Sequence, residues 1–446
     1  MDELRALRVY HAGHDPLQRA RERSLSSQEG IEIALATPLE WSGEMPLTGP
    51  DVAEPFEVIR LAVDRAGDVN RHRYAEPQRP REIIERLRPN ILDIHEEPFS
   101  VAAHQWLEAA PPDLPVVMYA AQNVDKRYPP PFTYYERRAF ERVSAIYPCS
   151  RQAAAVVRGK GFAGLIDVLD LGFDSDIFFR GGQAIEDDEL VLAFVGRLVP
   201  EKGVTDAVRI LAAIQRVRRA RLIVVGEGPE RGRALDLASA LGVADHVEIH
   251  SWRQPSELGV LYRRSHVVLV PSVPTTTWTE QFGRVIVEAQ ASGAVVVGYA
   301  TGAIPEVAGS AAVLVRPGDV RALVDAVLWL ARDAAAFASK RAAGLRLSRA
   351  RTWKSIAARH ASLYRRVADG RIERRHLPRS PRTRRGIARA EFGESAQTTA
   401  GMRPFALPVL RTGGVAAAAL ARLIDAFAEL DAPFRIRRHF RKLERC

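Results

Sequence analysis

Two stretches carry side chains suited to handling a diphosphate and a sugar. In FVGRLVPEKGV an apolar run ends at Gly196, and Arg197 and Lys202 follow before a helical-period segment that opens near Val204. A guanidinium fork binds two anionic oxygens at once and an ammonium acts as a point charge, so this placement suits a diphosphate. Gly196 would let backbone approach closely there. On its own the stretch reads equally as a solvated basic turn. In WTEQFGRVIVEAQASG, Glu280 and Glu288 stand eight positions apart. If Gly283 opens a helix, its N-terminal amides can hold a phosphate between the two carboxylates, with Glu280 ahead of the helix and Glu288 in its second turn. Eight helical positions rise about 12 Å. A glycosidase carboxylate pair sits roughly 5–9.5 Å apart, so hydrolysis by paired acids is disfavoured. A nucleotide sugar laid across the helix end fits the span better, with the sugar at one carboxylate and the ribose at the other. A random pair at this spacing is more often two glutamates on a helix surface.

The elements that must position these residues alternate in period. From about residue 190 the order is LVLAFVG, VTDAVRILAAIQRV, RLIVVG, ERGRALDLASAL, HVEIH, SELGVLYRRS, HVVLVPS, GRVIVEAQASG, AVVVGYA, AAVLV and RALVDAVLWLARD. Strands apolar at nearly every position are buried on both faces, and strands separated by helices run parallel. A doubly wound α/β domain is expected. Residues 1–182 repeat the theme less regularly, with strand candidates LRVYHAG, IEIALAT, FEVIRLAV, NILDIHEEP, PVVMYAAQN, SAIYPCS and LIDVLDLG and helical segments REIIERL, VAAHQWLEAA and RQAAAVVRGKG. The joint falls near FFRGGQAIEDDE, where Gly181 and Gly182 adjoin an acidic run. Two such domains facing each other place a site in the cleft beyond the carboxyl ends of their strands.

At 446 residues the chain has room for two or three domains of roughly 100–200 residues each. A hydrophobic share of 47% with 26% charged residues is globular composition, against a disordered or fibrous chain. The net charge of +10 is local. From Arg365 to Cys446 there are 19 Lys and Arg against 8 Asp and Glu, so residues 1–364 carry a charge of −1. The basic excess is almost all arginine, which composition bias alone can produce, so it is weak evidence for a nucleic-acid partner. The tail also lacks the interleaved aromatics of single-strand platforms. No window holds the roughly 18 apolar residues of a membrane span, and MDELRALRVY lacks an apolar leader, so a cytoplasmic body is expected. Cys149 and Cys446 are too few for a disulfide framework or a cysteine zinc site, and their pairing is not expected. Residues 371–412 read as a linker rich in Arg, Pro, Ser and Thr, followed by a helix at Val415–Leu430 and a basic end. That tail suits a helix packed on the body or an oligomer partner, or peripheral contact with an anionic inner membrane face.

Taken together, GRLVPEKG, VVGEGPE, Glu280 with Glu288, GAIPEV at Gly302–Val307 and AAVLVRPGD at Ala311–Asp319 resemble the retaining GT-B glycosyltransferases of family 4, also called the group 1 glycosyl transferases. The resemblance covers roughly residues 1–366 and implies two Rossmann-like domains facing a cleft. The implied organisation is 1–182 for the acceptor, 183–349 for the nucleotide sugar, 350–370 as a helix crossing back, and 371–446 as an Arg-rich linker and tail. It implies that Arg197 and Lys202, with Gly196 beside them, bind the donor diphosphate, that Glu280 lies by the transferred sugar, that Glu288 holds the ribose, and that amides around Phe282 and Gly283 meet the phosphate. His95 in NILDIHEEPFS is carried over as an acceptor-side or sugar-contacting residue, its bland alternative being a cap for the next helix. Asn123, Lys126 and Tyr128 in YAAQNVDKRYPPPF are weaker acceptor-side candidates with no assigned role. The first loop, VYHAGHDPLQ, has only Gly13, an acceptor-side candidate, where the family often has paired glycines.

The expected reaction is transfer of a sugar from a nucleotide-diphosphate sugar to a hydroxyl acceptor (glycan, lipid-linked sugar or small molecule) with retention. No metal or resident cofactor is expected: Arg197, Lys202 and the helix amides near Gly283 would stabilise the departing diphosphate, and no Asp-x-Asp pair is placed to hold a divalent ion. The alternatives are a catalytically silent partner subunit and a sucrose- or trehalose-type synthase or phosphorylase. GEGPERG at Gly226–Gly232 resembles a dinucleotide fingerprint, but its third glycine falls one residue late. Loops around His250–Arg253 or Ser272 would read the base, and GDP, UDP and ADP sugars remain open.

Overall fold

A computed structural model describes residues 3–42, 52–181 and 189–370. Gly182, the segment 371–446 with its expected helix, and Cys446 lie outside the described residues.

The first sheet is built from β1 (Leu4–Val9), β2 (Ile31–Pro38) and β3 (Glu57–Leu61), followed after a small antiparallel pair, β4 (Val63–Asp64) and β5 (Arg73–Tyr74), by β6 (Ile91–Ile94), β7 (Val116–Ala120), β8 (Ala145–Pro148) and β9 (Leu165–Ile166). Its order is β3-β2-β1-β6-β7-β8-β9, parallel throughout. Helices α1 (Ala20–Ser26), α2 (Arg79–Leu87), α3 (Val101–Ala109), α4 (Phe132–Arg142) and α5 (Arg151–Gly159) connect it. The second domain runs β10 (Leu190–Val195), α6 (Val204–Gln215), β11 (Ala220–Val225), α7 (Glu230–Ala240), β12 (Val247–His250), α8 (Pro255–Arg264), β13 (Val267–Val270), α9 (Arg284–Ala291), β14 (Val295–Tyr299), α10 (Ile304–Ala308), β15 (Val313–Val315), α11 (Val320–Arg332) and α12 (Ala334–Ser348). Its sheet order is β12-β11-β10-β13-β14-β15, again parallel. The continuous apolar runs become its central strands: β10, β13 and β14 are buried along almost their whole length.

Both sheets reverse their winding at a single place, between β1 and β6 in the first and between β10 and β13 in the second. The crevice outside the carboxyl ends of such strands is where open α/β sheets bind ligands. His95 follows β6, Tyr10 and His11 follow β1, Gly196 follows β10, and Ser272 follows β13 by one residue.

The chain passes twice between the domains, and the two passages pair. Phe173 bridges Thr352 in parallel, its amide donating to the Arg351 carbonyl at 3.1 Å while Trp353 N donates to the Phe173 carbonyl at 3.0 Å. After this seam, α13 (Trp353–Ala368) lies on the first domain, where Ala357, Ala361, Leu363, Tyr364 and Val367 share a core with Leu4, Ala6, Leu25 and Ile33. Thr352 caps α13 by accepting from Ser355 N.

That contact also encloses charge. Asp93 on β6 is fully buried and bonds the guanidinium of Arg8 and the hydroxyls of Tyr147 and Tyr364. His360 Nε2 lies 3.1 Å from the same carboxylate, and Arg8 Nε donates to Glu22 at 2.9 Å. Burial alone would raise the Asp93 pKa, but Arg8 and its other partners hold it well below the usual carboxylate range. Burial instead keeps His360 neutral, its pKa lowered to about 4.

Candidate active site

On the second domain the strand-to-helix loops bring three predicted residues together. Lys202 ends a short 3-10 turn (Pro200–Lys202) after β10, and Gly203, in the left-handed region at φ +74°, starts α6 behind it. Lys202 Nζ lies 2.7 Å from Glu280 Oε2, and Ser272 Oγ donates to the same oxygen at 3.0 Å. The Trp278 ring centroid is 5.1 Å from the lysine nitrogen, within cation–π range. Ser272 thus sits on Glu280. Arg197 is exposed on the loop. Gly196 takes φ +154°, and an added Cβ there would meet open space. On the neighbouring strand two backbones approach closely, and a Cβ on Gly226 would strike the Gly196 carbonyl oxygen. GEGPERG is therefore explained by backbone packing: Leu198 N donates to the Glu227 carbonyl at 2.7 Å and Glu230 N to the Leu198 carbonyl at 2.9 Å.

Gly283 is the N-cap of α9 at φ +82°, a conformation glycine adopts without the penalty of a Cβ. Because α9 begins at Arg284, the helical rise does not extend back to Glu280, and the span of about 12 Å estimated for eight helical positions does not describe this pair. Phe282 is buried in the core beneath α9, so its side chain faces away from any ligand at the helix start. Glu288 is also buried; Tyr262 OH donates to its Oε2 at 3.3 Å and Arg284 Nε stands 3.4 Å from Oε1.

The first domain contributes a cavity of about 340 Å³ at its switch point. Tyr10 and His11 line it from the loop after β1, Arg21 and Glu22 from α1, and His95, Glu96 and Glu97 from the loop after β6. Gln281 and Arg284 close it from the second domain, and Trp353 from the seam. The cavity therefore spans both domains, a few residues from Glu280. Asn123 adds a direct link, its Nδ2 donating to the Glu280 backbone carbonyl at 2.7 Å.

His95 is 7% exposed and does not cap the following helix; Ser100 caps α3. The imidazole stacks on Tyr119 with centroids 4.0 Å apart, and its Nδ1 lies 3.1 Å from Tyr147 OH and 3.2 Å from Arg21 Nη1. Burial, reinforced by Arg21 and Arg8, drives its pKa well below the ordinary value, so the ring is neutral. Tyr147 in turn bonds Asp93, which extends the buried cluster to the cavity wall. Glu96 holds His11, accepting from its backbone amide at 2.7 Å and facing its Nδ1 at 2.7–2.9 Å. Burial opposes the charge on His11, yet Glu96 prevails and its pKa is raised. Glu97 accepts from Ala121 N at 2.9 Å through one oxygen, and burial pushes its carboxyl up to about 7.

Three weaker candidates lie elsewhere. Gly13 is buried in the 3-10 turn His11–His14, where a Cβ would press on Leu35 at 3.0 Å; Tyr10 and His11 face the cavity in its place. Tyr128 stacks on Phe99 at 3.9 Å and donates to Gln122 Oε1 at 3.0 Å, one shell behind the cavity wall. Lys126 is half-buried outside the lining residues. The spacing did not single out Tyr10, His11, Arg21, Glu96, Glu97 or Arg284. Of these, the two glutamates directly after His95 and the arginine four before Glu288 were open to sequence reading.

The site's second-domain half lies within a segment that known families share: residues 176–343 match the family model described as glycosyl transferases group 1. Over that segment the chain is similar to the group 1 glycosyl transferases. Among curated relatives, the D-inositol 3-phosphate glycosyltransferase of Segniliparus rotundus is 36% identical over 152 residues, 31% of this chain and 33% of that protein. Its namesake in Mycobacterium bovis is 33% identical over 214 residues, 45% of this chain and 40% of that protein. The chain thus spans about a third to two fifths of these relatives. The fold extends further: the sucrose-phosphate synthase structure from Thermosynechococcus elongatus aligns with a TM-score of 0.62 at 19% identity over 82% of this chain and all of that one. Anabaena HepE in complex with UDP and glucose aligns with a TM-score of 0.59 at 15% identity, over 81% of this chain and 99% of that one. The fold is GT-B, and the segment similar to the group 1 glycosyl transferases lies in its second half. Among the described residues no helix is long and apolar enough to cross a membrane.

Proposed function

We propose that this protein transfers a sugar from a nucleotide-diphosphate sugar to a hydroxyl acceptor with retention, the charges being supplied by the chain itself. The supporting observation is the meeting of Lys202, Ser272 and Glu280 at the carboxyl ends of β10 and β13, directly before the Gly283-capped start of α9. Relatives named glycosyltransferases, and a structure of the same fold holding UDP and glucose, support the same reading.

In this reading Arg197, Lys202 and the first amides of α9 take the diphosphate, Glu288 the ribose, and Glu280 hydroxyls of the transferred sugar. The diphosphate competes with Glu280 for the Lys202 ammonium, so donor binding frees the carboxylate to accept from the sugar. The bond from the anomeric carbon to the phosphate oxygen breaks as the acceptor oxygen bonds that carbon on the same face. A phosphate oxygen takes the acceptor proton. Neutral His95 hydrogen-bonds a sugar hydroxyl from the cavity side.

Calorimetric binding of UDP, GDP and ADP tests the donor site. One nucleotide is expected to bind tightly and to lose roughly 10- to 100-fold in affinity in Lys202→Ala, the range for one charge-assisted contact. Absence of binding by all three would favour a catalytically silent partner subunit.

A further inference from the structure

The cavity is lined by a cation of which the protein uses only part of the donors. Arg21 is 4% exposed, from α1. Its Nη1 faces His95 Nδ1 at 3.2 Å and its guanidinium lies 4.9 Å from the Trp353 ring centroid. Among the described residues no carboxylate pairs with it, and its Nε and Nη2 are neither bonded nor among the buried atoms sealed from solvent. Arg21 lines the cavity.

The nearby carboxyl groups are otherwise occupied. Glu22 is bonded to Arg8, and Glu96 to His11. Glu97 spends one oxygen on Ala121 N, and burial favours its uncharged form. A desolvated cation without a bonded counter-charge weakens a fold, which makes a cavity-facing one a binding group. Five donors in a planar fork match a phosphate or carboxylate, and the cavity falls within the size range of small-ligand sites.

Building on the glycosyl-transfer reading, we propose that the acceptor is anionic and that Arg21 binds its phosphate monoester or carboxylate. The anion then sits against His95, and the hydroxyls of the same molecule extend toward Gln281, next in sequence to Glu280.

The test uses the full chain with four probes: inorganic phosphate, glucose, glucose 6-phosphate and glucuronate. Wild-type protein is expected to bind at least one charged sugar about 10-fold or more tighter than glucose, and the stronger of glucose 6-phosphate and glucuronate distinguishes phosphate from carboxylate. Arg21→Gln should abolish that preference and any stabilisation by inorganic phosphate, with Arg21→Lys retaining part of both. The melting temperature of Arg21→Gln should equal or exceed wild type, whereas a purely structural arginine would lower it. Equal binding of charged and neutral sugars, a preference that survives Arg21→Gln, or no phosphate stabilisation dependent on Arg21 would each overturn the proposal. The phosphate measurement needs no nucleotide, so failure of UDP, GDP and ADP to bind would count against the transfer reading while still leaving Arg21 decided.

Discussion

Asp93→Ala is expected to cost about 3–5 kcal/mol of unfolding free energy, because it leaves Arg8 buried without its main counter-charge. The carboxylate joins three separate chain segments, since Arg8 comes from β1, Tyr147 from β8 and Tyr364 from α13. Chemical denaturation monitored by fluorescence measures the loss, and a change below about 1 kcal/mol would show that the cluster contributes little net stability. The same cluster sets an acid limit. His360 has its folded pKa lowered to about 4 against an ordinary 6.5, so the unfolded chain binds its proton first. The stability this group contributes is therefore complete above pH 6.5 and lost as pH falls toward 4. Relative to His360→Gln, wild type should lose roughly 3 kcal/mol over that window, at about 1.4 kcal/mol per pH unit. Asp93 acts lower on the scale, its pKa being held well below the usual range, and its contribution vanishes only in stronger acid.

Glu280→Ala should separate donor binding from transfer. Its side chain holds Lys202 and Ser272, while its backbone carbonyl is what Asn123 and Ala303 N bind. The substitution therefore leaves the fold and the domain link in place. Nucleotide affinity is expected to stay level or rise, since Lys202 loses a competing carboxylate. The turnover number should fall about 10²- to 10³-fold, the range for losing one oriented group at the reacting centre. Unchanged turnover would remove Glu280 from the reaction. Parallel loss of nucleotide binding would mean that the carboxylate serves to shape the lysine. The anomeric configuration of the product, read by NMR, tests retention independently, and inversion would exclude attack from the face the phosphate leaves.

Most of the second domain was legible because its strands advertise themselves. LVLAFVG, HVVLVPS and AVVVGYA are apolar on both faces, and the segments between them carry helical period. Less was legible where an element is short or buries charge. The pair β4 and β5 spans two residues per strand, below any period. The helix ARERSLS buries Arg21 and Glu22, so its inward face reads as a surface. The same inversion hid half of the cavity: Arg21 and His95 are 74 positions apart and meet only because β1 and β6 are neighbours. His95, Lys202 and Glu280 could be found because each sits in a compact stretch beside a strand end or helix start. The helix-span estimate failed for a related reason, since composition alone does not reveal how many residues precede the first helical turn.

The seam at Phe173 and Thr352 gives the molecule a restricted mechanics. Two covalent passages hydrogen-bonded side by side would act like a door's hinge line, about which the domains could turn more readily than slide. Trp353 belongs to that axle and also to the cavity wall. Whatever favours one angle of the door must therefore change affinity for the cavity's occupant, and by reciprocity the occupant must change the angle by the same free energy. On the transfer reading proposed above, acceptor recognition and the angle between the domains would be one equilibrium observed from two ends.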